Sequence, residues 1–353
     1  MQASNPTARR QVGPIVTLLL LAPIIVEFLF GSTHLSMFYL ILPQIGVYGC
    51  GALIIRDLAR RRGNGWGAIL LMGIAFAVAL ECLILQTALA PLFVAMDPRH
   101  IYGRALGVNW IYLLYSIGYE SVWAIVLPIQ VTELLFSDRR DEPWLGRWGL
   151  IAASAVFLLS SVATWYLWGQ AVHKFVPGPG YQAPALTVGL ALLGAVALFA
   201  IALGLRRASG ARPSGARRAP RPWLVRLAAF WLALFWFVLV VFAVGVAPAV
   251  PAVVPAAVGL LLAALASGAV GRWSSRSAWG DAHRLALVSG ALLASMLAGL
   301  LVSGISLPID WIGKLALDGL AIVGLIWMAW RVRRKPAQPV SDVSDPRLTA
   351  PAP

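Results

Sequence analysis

The chain has 353 residues, 60% of them hydrophobic and only 12% charged, and its mean hydropathy is +0.81. A water-soluble domain of this size needs more polar residues to cover its surface, so the composition implies a polytopic membrane protein and excludes a soluble enzyme or binding module. The formal net charge of +14 is spread over separate loops instead of one basic face, which argues against nucleic acid as a partner and for the lipid bilayer with its anionic inner-leaflet lipids.

A helix needs about 20 mostly apolar residues to cross a hydrocarbon core of roughly 30 Å, and ten such runs follow one another. Pro14 to Phe30 follows Arg9 and Arg10 and contains Glu27. No small-residue cleavage pattern comes after it, so it reads as an uncleaved first helix. Ser36 to Ile55 contains Pro43-Gln44 and then Gly46, Gly49 and Gly51. Trp66 to Leu85 carries Glu81, and Trp110 to Phe136 carries Glu120, Pro128 and Glu133. Gly149 to Trp168 and Ala185 to Leu205 complete a six-helix part, 1–205. Residues 206–222, RRASGARPSGARRAPRP, lack apolar periodicity and predict a flexible basic linker. Trp223 to Val246, Val250 to Val270, Leu285 to Ile305 and Trp311 to Trp330 form a four-helix part, 223–335. The Pro-rich polar tail, 336–353, predicts disorder. The fold class is therefore all-α, a bundle of about ten transmembrane helices.

Arginine and lysine fall in alternate loops. One set holds Arg9 and Arg10, Arg56 and Arg60 to Arg62, Arg139, Arg140 and Arg147, the basic residues from Arg206 to Arg226, Arg272, Arg276 and Arg284, and Arg331 to Lys335; the other holds only Arg99, Arg104 and Lys174. Cytoplasmic loops accumulate such residues, so both termini are expected in the cytoplasm of a plasma membrane. Trp66, Trp110, Trp148, Trp223, Trp311 and Trp330 stand at span ends as interfacial anchors. The linker falls after the sixth helix and no motif recurs between the halves, against two inverted five-helix repeats. Small residues at every fourth position, Gly259, Ala263, Ser267 and Gly271 in the eighth helix and Ala291, Ser295, Gly299 and Ser303 in the ninth, predict close packing seams and a largely architectural C-terminal part. Cys50 and Cys82 lie within spans and suggest neither a disulfide nor a metal knuckle.

The acids carry the functional signal. Glu27, Glu81, Glu120, Asp310 and Asp318 all map to the half of the membrane away from the basic loops, and an acid within hydrocarbon normally faces a bundle interior or a wet cavity. Glu120 lies about 15 Å beyond Trp110 at 1.5 Å per residue. Pro23, Pro43 and Pro128 free backbone groups in the same helices, which makes them candidate cavity walls, with Gln44, Gln86, Asn109 and Tyr119 able to line the space. Asp318 follows Lys314 by four residues, the spacing of an internal ion pair. Asp310 begins the last helix, where a carboxylate caps it. Glu133 reads as interfacial, near Arg139 and Arg140. Glu27 and Glu81, within about a turn of the interface, either reach water or join the site. Glu120 is the candidate proton or cation relay.

His34 and His100 in the outer loops could add metal-ligand capacity. No H-E-x-x-H, paired H-x3-H or Cys pair is present, nor any nucleotide-binding glycine pattern or nucleophile elbow. No catalytic residue, cofactor or metal is expected.

Several runs resemble a group of uncharacterised bacterial polytopic membrane proteins: Ala22-Pro23 through Glu27, Tyr48 to Leu53 with Arg56, Arg60 to Gly63 with Gly65-Trp66, and Pro143 to Gly146. The likeness covers about Ala22 to Leu150. Through that group the chain is also similar to intramembrane glutamate-and-histidine proteases of the prenyl-protein-processing and bacteriocin-immunity type, which implies a bacterial inner membrane; those proteases use a metal-activated water, which a glutamate without its histidine partner cannot build. It departs from that pattern, with Glu81-Cys82 in place of a glutamate pair and Glu120 in place of a histidine. Three functional expectations follow. The first is a non-enzymatic, carboxylate-lined cavity open to the outside that binds or passes a proton, a cation or a small solute. The second is a degenerate hydrolase with Glu81 as base, and the third a non-catalytic scaffold.

Overall fold

The computed structural model describes residues 6–90, 102–175, 183–205, 218–245, 249–302 and 304–334. It is almost wholly helical. Helix α1 is Pro6–Pro23, continued by a wide π turn at Ile24–Phe28. Next come α2 (Leu35–Arg61), α3 (Trp66–Ile84) and α4 (Trp110–Leu135). The remaining helices are α5 (Arg147–Phe175), α6 (Ala185–Gly204), α7 (Pro222–Gly245), α8 (Val253–Ser274), α9 (Asp281–Val302) and α10 (Pro308–Arg334). Among the described residues nine helices, α2 to α10, are long and apolar enough to cross a membrane, and Val12–Phe28 is a shorter apolar stretch. Helices of this length and composition are the build of a multi-pass membrane protein.

All ten expected spans fall on these helices. The largest end shift is in α1, which begins at Pro6 rather than Pro14, and α9 begins at Asp281 rather than Leu285: Asp281 suits the positive end of the helix dipole, so the polar turn before the apolar run is helical too. A short antiparallel hairpin, β1 (Arg104–Ala105) and β2 (Val108–Asn109), leads into α4. Asn109 then caps that helix, its side-chain oxygen accepting from the Tyr112 amide at 3.0 Å.

Contacts between loops sort the two ends of the bundle. At the arginine-rich end, Asn64 Nδ2 reaches the Ala202 carbonyl at 3.1 Å, and Arg140 forks onto Asp281 with bonds of 2.7 and 3.2 Å. At the opposite end, Tyr102 Oη donates to the Val250 carbonyl at 2.7 Å. The basic linker was expected to be flexible throughout 206–222, yet its last residues are held. Ala219 N donates to the Ser277 carbonyl at 3.0 Å and the Pro220 carbonyl lies 2.9 Å from His283 Nε2. Residues 206–217 and the tail lie outside the described residues.

Helices α3 and α9 are the most enclosed, and α5, α6 and α8 the least. Glycine makes the tightest crossings possible. A Cβ on Gly49 would stand 2.5 Å from the Leu19 carbonyl oxygen, and one on Gly299 only 1.7 Å from that of Phe30. The α9 stripe is thus a packing seam at Ala291, Ser295 and Gly299, which are all buried; Ser303 lies outside the described residues. The α8 stripe is not such a seam. Gly259 alone packs, against Leu114 and Leu239, while Ala263, Ser267 and Gly271 face outward. Small-residue spacing permits close approach without supplying a partner. Trp110, Trp148, Trp223, Trp311 and Trp330 are exposed at helix ends, as interfacial anchors are.

Candidate functional site

Two polar layers cross the bundle, and they differ in how well their groups are satisfied. The layer at the basic end is an ionic clamp. Arg56, fully buried, donates through Nε to Glu133 Oε1 at 3.1 Å and through its Nη atoms to the carbonyls of Glu142, Arg139 and Arg140 at 2.6, 3.2 and 2.7 Å. Its guanidinium also lies 3.4 Å from the centre of the Trp144 ring. Arg60 grips both oxygens of Glu133, at 2.9 and 2.7 Å. Asp57 accepts from the amides of Trp144 and Leu145 at 2.8 and 2.9 Å and from Arg61 at 2.6 Å. Glu133 is therefore not an interfacial group facing Arg139 and Arg140. It is a buried counter-ion for Arg56 and Arg60, because α2 turns those side chains inward one helical turn apart. Arg56, Asp57 and Glu133 lock the loop after α4 onto α2.

The second layer lies in the other half, and wide turns build it. Each of the first four helices contains a π segment: Ile24–Phe28, Ile45–Gly49, Leu80–Ile84 and Glu120–Val126. These segments carry Glu27, Tyr48, Glu81 and Glu120 respectively. Such turns leave a backbone group out of the regular ladder and recur at functional sites. Proline explains three of them locally, since Pro23, Pro43 and Pro128 each remove one amide donor within or beside the widened stretch. Pro23 frees the carbonyl of Leu19, and Gly49 of α2 packs directly on it.

Glu27 is half-buried. Its Oε1 accepts from Tyr48 Oη at 2.7 Å and its Oε2 from Thr33 Oγ1 at 2.8 Å. Thr33 in turn accepts from Gln44 Nε2 at 2.8 Å. Glu81, 3% exposed, accepts from Thr87 Oγ1 and is hydrogen-bonded by Ser116 and Tyr112. In both helices a threonine six residues beyond the glutamate folds back onto it from the closing turn. Glu120 is different. It is 6% exposed, and its Oε2 is buried with no hydrogen-bond partner. Glu120 lies within electrostatic reach of both Glu81 and Glu27, and Glu81 of Glu27. Beside it runs an aromatic column on α4, in which Tyr119 stacks on Tyr115 and Trp123 with ring centres 5.8 and 5.4 Å apart.

The other expected lining residues are placed less uniformly. Gln44 joins the Glu27 chain, with its own Oε1 buried and unpartnered. Tyr119 donates to the Val26 carbonyl and so ties α4 to α1. Gln86 occupies the turn closing α3 at φ +55°, where its carbonyl accepts from the amides of Leu89 and Ala90 at 3.0 and 2.7 Å. Asn109 is a cap, as described above.

Asp310 does not cap its own helix. Its oxygens accept from Ser36 N and Ser36 Oγ at 2.8 and 3.0 Å, so it caps the start of α2 across the bundle, with His34 Nδ1 at 3.7 Å. His100 lies outside the described residues. Lys314 Nζ pairs with Asp318 Oδ2 and approaches the Met296 carbonyl at 3.4 Å. Among the described residues no group of three or more His, Cys, Asp and Glu side chains is arranged to hold a metal ion.

Thr33, Tyr48, Thr87, Tyr112 and Ser116 belong to the acid layer although the sequence reading singled none of them out as site residues. For Thr33, Thr87 and Ser116 the signal is a hydroxyl within two turns of an acid in a chain with few polar residues; Tyr48 meets Glu27 from 21 residues away and has no such signal. Comparisons with protein-family models, with curated proteins and with solved structures find no match for this chain.

Proposed function

We propose that this membrane protein binds or passes a small positively charged species, a proton or another cation, at a carboxylate site built by α1 to α4, with Glu120 as the central relay and Glu27 and Glu81 as its partners. One observation carries the reading: three glutamates from three helices come within electrostatic reach of one another, and the central one has a buried oxygen with no partner. Three negative charges in a low-dielectric layer repel one another, and a bound positive species offsets that cost. The arginine-rich end faces the cytoplasm of a bacterial plasma membrane against anionic lipid, so the acid layer lies toward the outside. The half-buried Glu27, with Thr33 and Gln44, forms the entrance.

The test uses the full chain in lipid nanodiscs, with the part of the tryptophan fluorescence that is lost in Trp123→Phe reporting on Trp123, which lies three residues from Glu120. Titration with acid, Na⁺, K⁺, Mg²⁺ and Ca²⁺ in turn is expected to give a saturable change with at least one of them. The change is expected to vanish in Glu120→Gln and persist in Asp318→Asn. A Glu120→Gln protein that responds like the wild type would remove the relay role.

A further inference from the structure

We infer that the species held at this site is a proton carried on Glu120, and not a metal cation coordinated by the three carboxylates. This inference rests on the function proposed above and narrows it. Three features support it.

The first is the chemistry of the groups around the acids. A metal ion takes lone pairs, and hard cations such as Ca²⁺ want six to eight oxygens converging at about 2.3–2.6 Å. Here Glu27 already accepts one hydroxyl on each oxygen, from Tyr48 and Thr33, and Glu81 is held by Thr87, Ser116 and Tyr112, so a cation would have to compete with these donors. Hydroxyl donors are what a charged carboxylate needs in place of water, and they shield it from a second ligand. The described acids also do not converge as a ligand set.

The second is the unpartnered oxygen of Glu120. With no donor aimed at Oε2, this oxygen lacks the solvation given to both oxygens of Glu27, and burying it charged is costly. A proton satisfies such an oxygen without any ligand shell. The third is the wider charge environment. The titratable groups facing Glu120 are Glu27 from α1, Tyr48 from α2, Glu81 from α3 and Tyr112, Tyr115 and Tyr119 from its own helix, with Cys82 beside Glu81. No basic side chain in the described residues pairs with Glu120.

Binding therefore forms one O–H bond on Glu120 and lowers the negative charge of the layer by one. Release breaks that bond and passes the proton to an oxygen of Glu81 or Glu27, or to water.

Infrared difference spectra of the nanodisc-embedded chain between alkaline and acid buffer, in H₂O and in D₂O, test this directly. Wild type is expected to gain a protonated-carboxyl C=O band on acidification that shifts in D₂O; Glu120→Gln is expected to lose it, and Asp318→Asn, outside the site, to keep it. If Glu120→Gln does not fold, Glu120→Asp replaces it, and an unchanged band in that variant would overturn the inference. A band that persists in Glu120→Gln also overturns it. A wild type with no such band, whose fluorescence saturates with Na⁺ or Ca²⁺ only when Glu120 is present, would sink the proton assignment and leave the proposed site standing. Absence of both responses would sink both.

Discussion

Glu133→Ala is expected to destabilise the protein by about 3–5 kcal/mol, the cost of leaving a buried charge without its partner. The substitution strands two guanidinium groups at once: Arg56, which has no exposure, and Arg60. Arg56 keeps its three carbonyl acceptors, but a carbonyl carries no net charge to balance it. Thermal unfolding in detergent, followed by loss of the monodisperse species, measures the effect. Removing the cation as well, in Arg56→Met with Glu133→Ala, should recover part of the loss if pairing is what the clamp supplies, since apolar replacements of buried pairs are often tolerated. A change of under about 0.5 kcal/mol in Glu133→Ala, the size of an ordinary surface substitution, would contradict the clamp.

Gly299→Val is expected to be as damaging for a different reason. Its Cβ would stand 1.7 Å from the Phe30 carbonyl oxygen, and backbone cannot swing aside as a side chain does. Helix α9 would have to move off the end of α1, forfeiting a seam in which Ser295 and Ala298 are also buried. Overpacking costs about 1–3 kcal/mol in an adaptable core, and this contact is less adaptable. Gly271→Val in α8 is the control, because nothing stands within 4 Å of a Cβ there. It should leave the unfolding midpoint within a degree or two of wild type. Equal effects at the two positions would mean that the α9 seam is not the tight crossing described.

The spans are legible in the sequence because hydrocarbon imposes a length and a composition on each helix, and the interfacial tryptophans mark several ends. Lys314 and Asp318 are legible too, since one helical turn brings i and i+4 together. What tertiary packing decides is less visible. Asp310 has the placement of a cap for its own helix, yet Ser36, far away in sequence, offers it both an amide and a hydroxyl. Glu133 has nearby arginines in the loop that follows its helix, but the ones it meets come from α2. The α8 and α9 stripes share one spacing and have different surroundings, because spacing describes a surface and not what lies against it. Within the acid layer, Pro23, Pro43 and Pro128 mark the irregular helices in advance. The π turns themselves and the threonines folding back on Glu27 and Glu81 depend on where the chain goes after each helix ends.

The most direct measurement is a cryo-EM structure of the full chain in a lipid nanodisc, resolved well enough to trace the helical turns of α1 to α4. The account predicts widened turns at 24–28, 45–49, 80–84 and 120–126, with Glu27, Glu81 and Glu120 in one polar layer inside the bundle and the Tyr48 hydroxyl on Glu27. Regular α-helix through those stretches, with the three carboxyl groups on separate, lipid-facing surfaces, would contradict it.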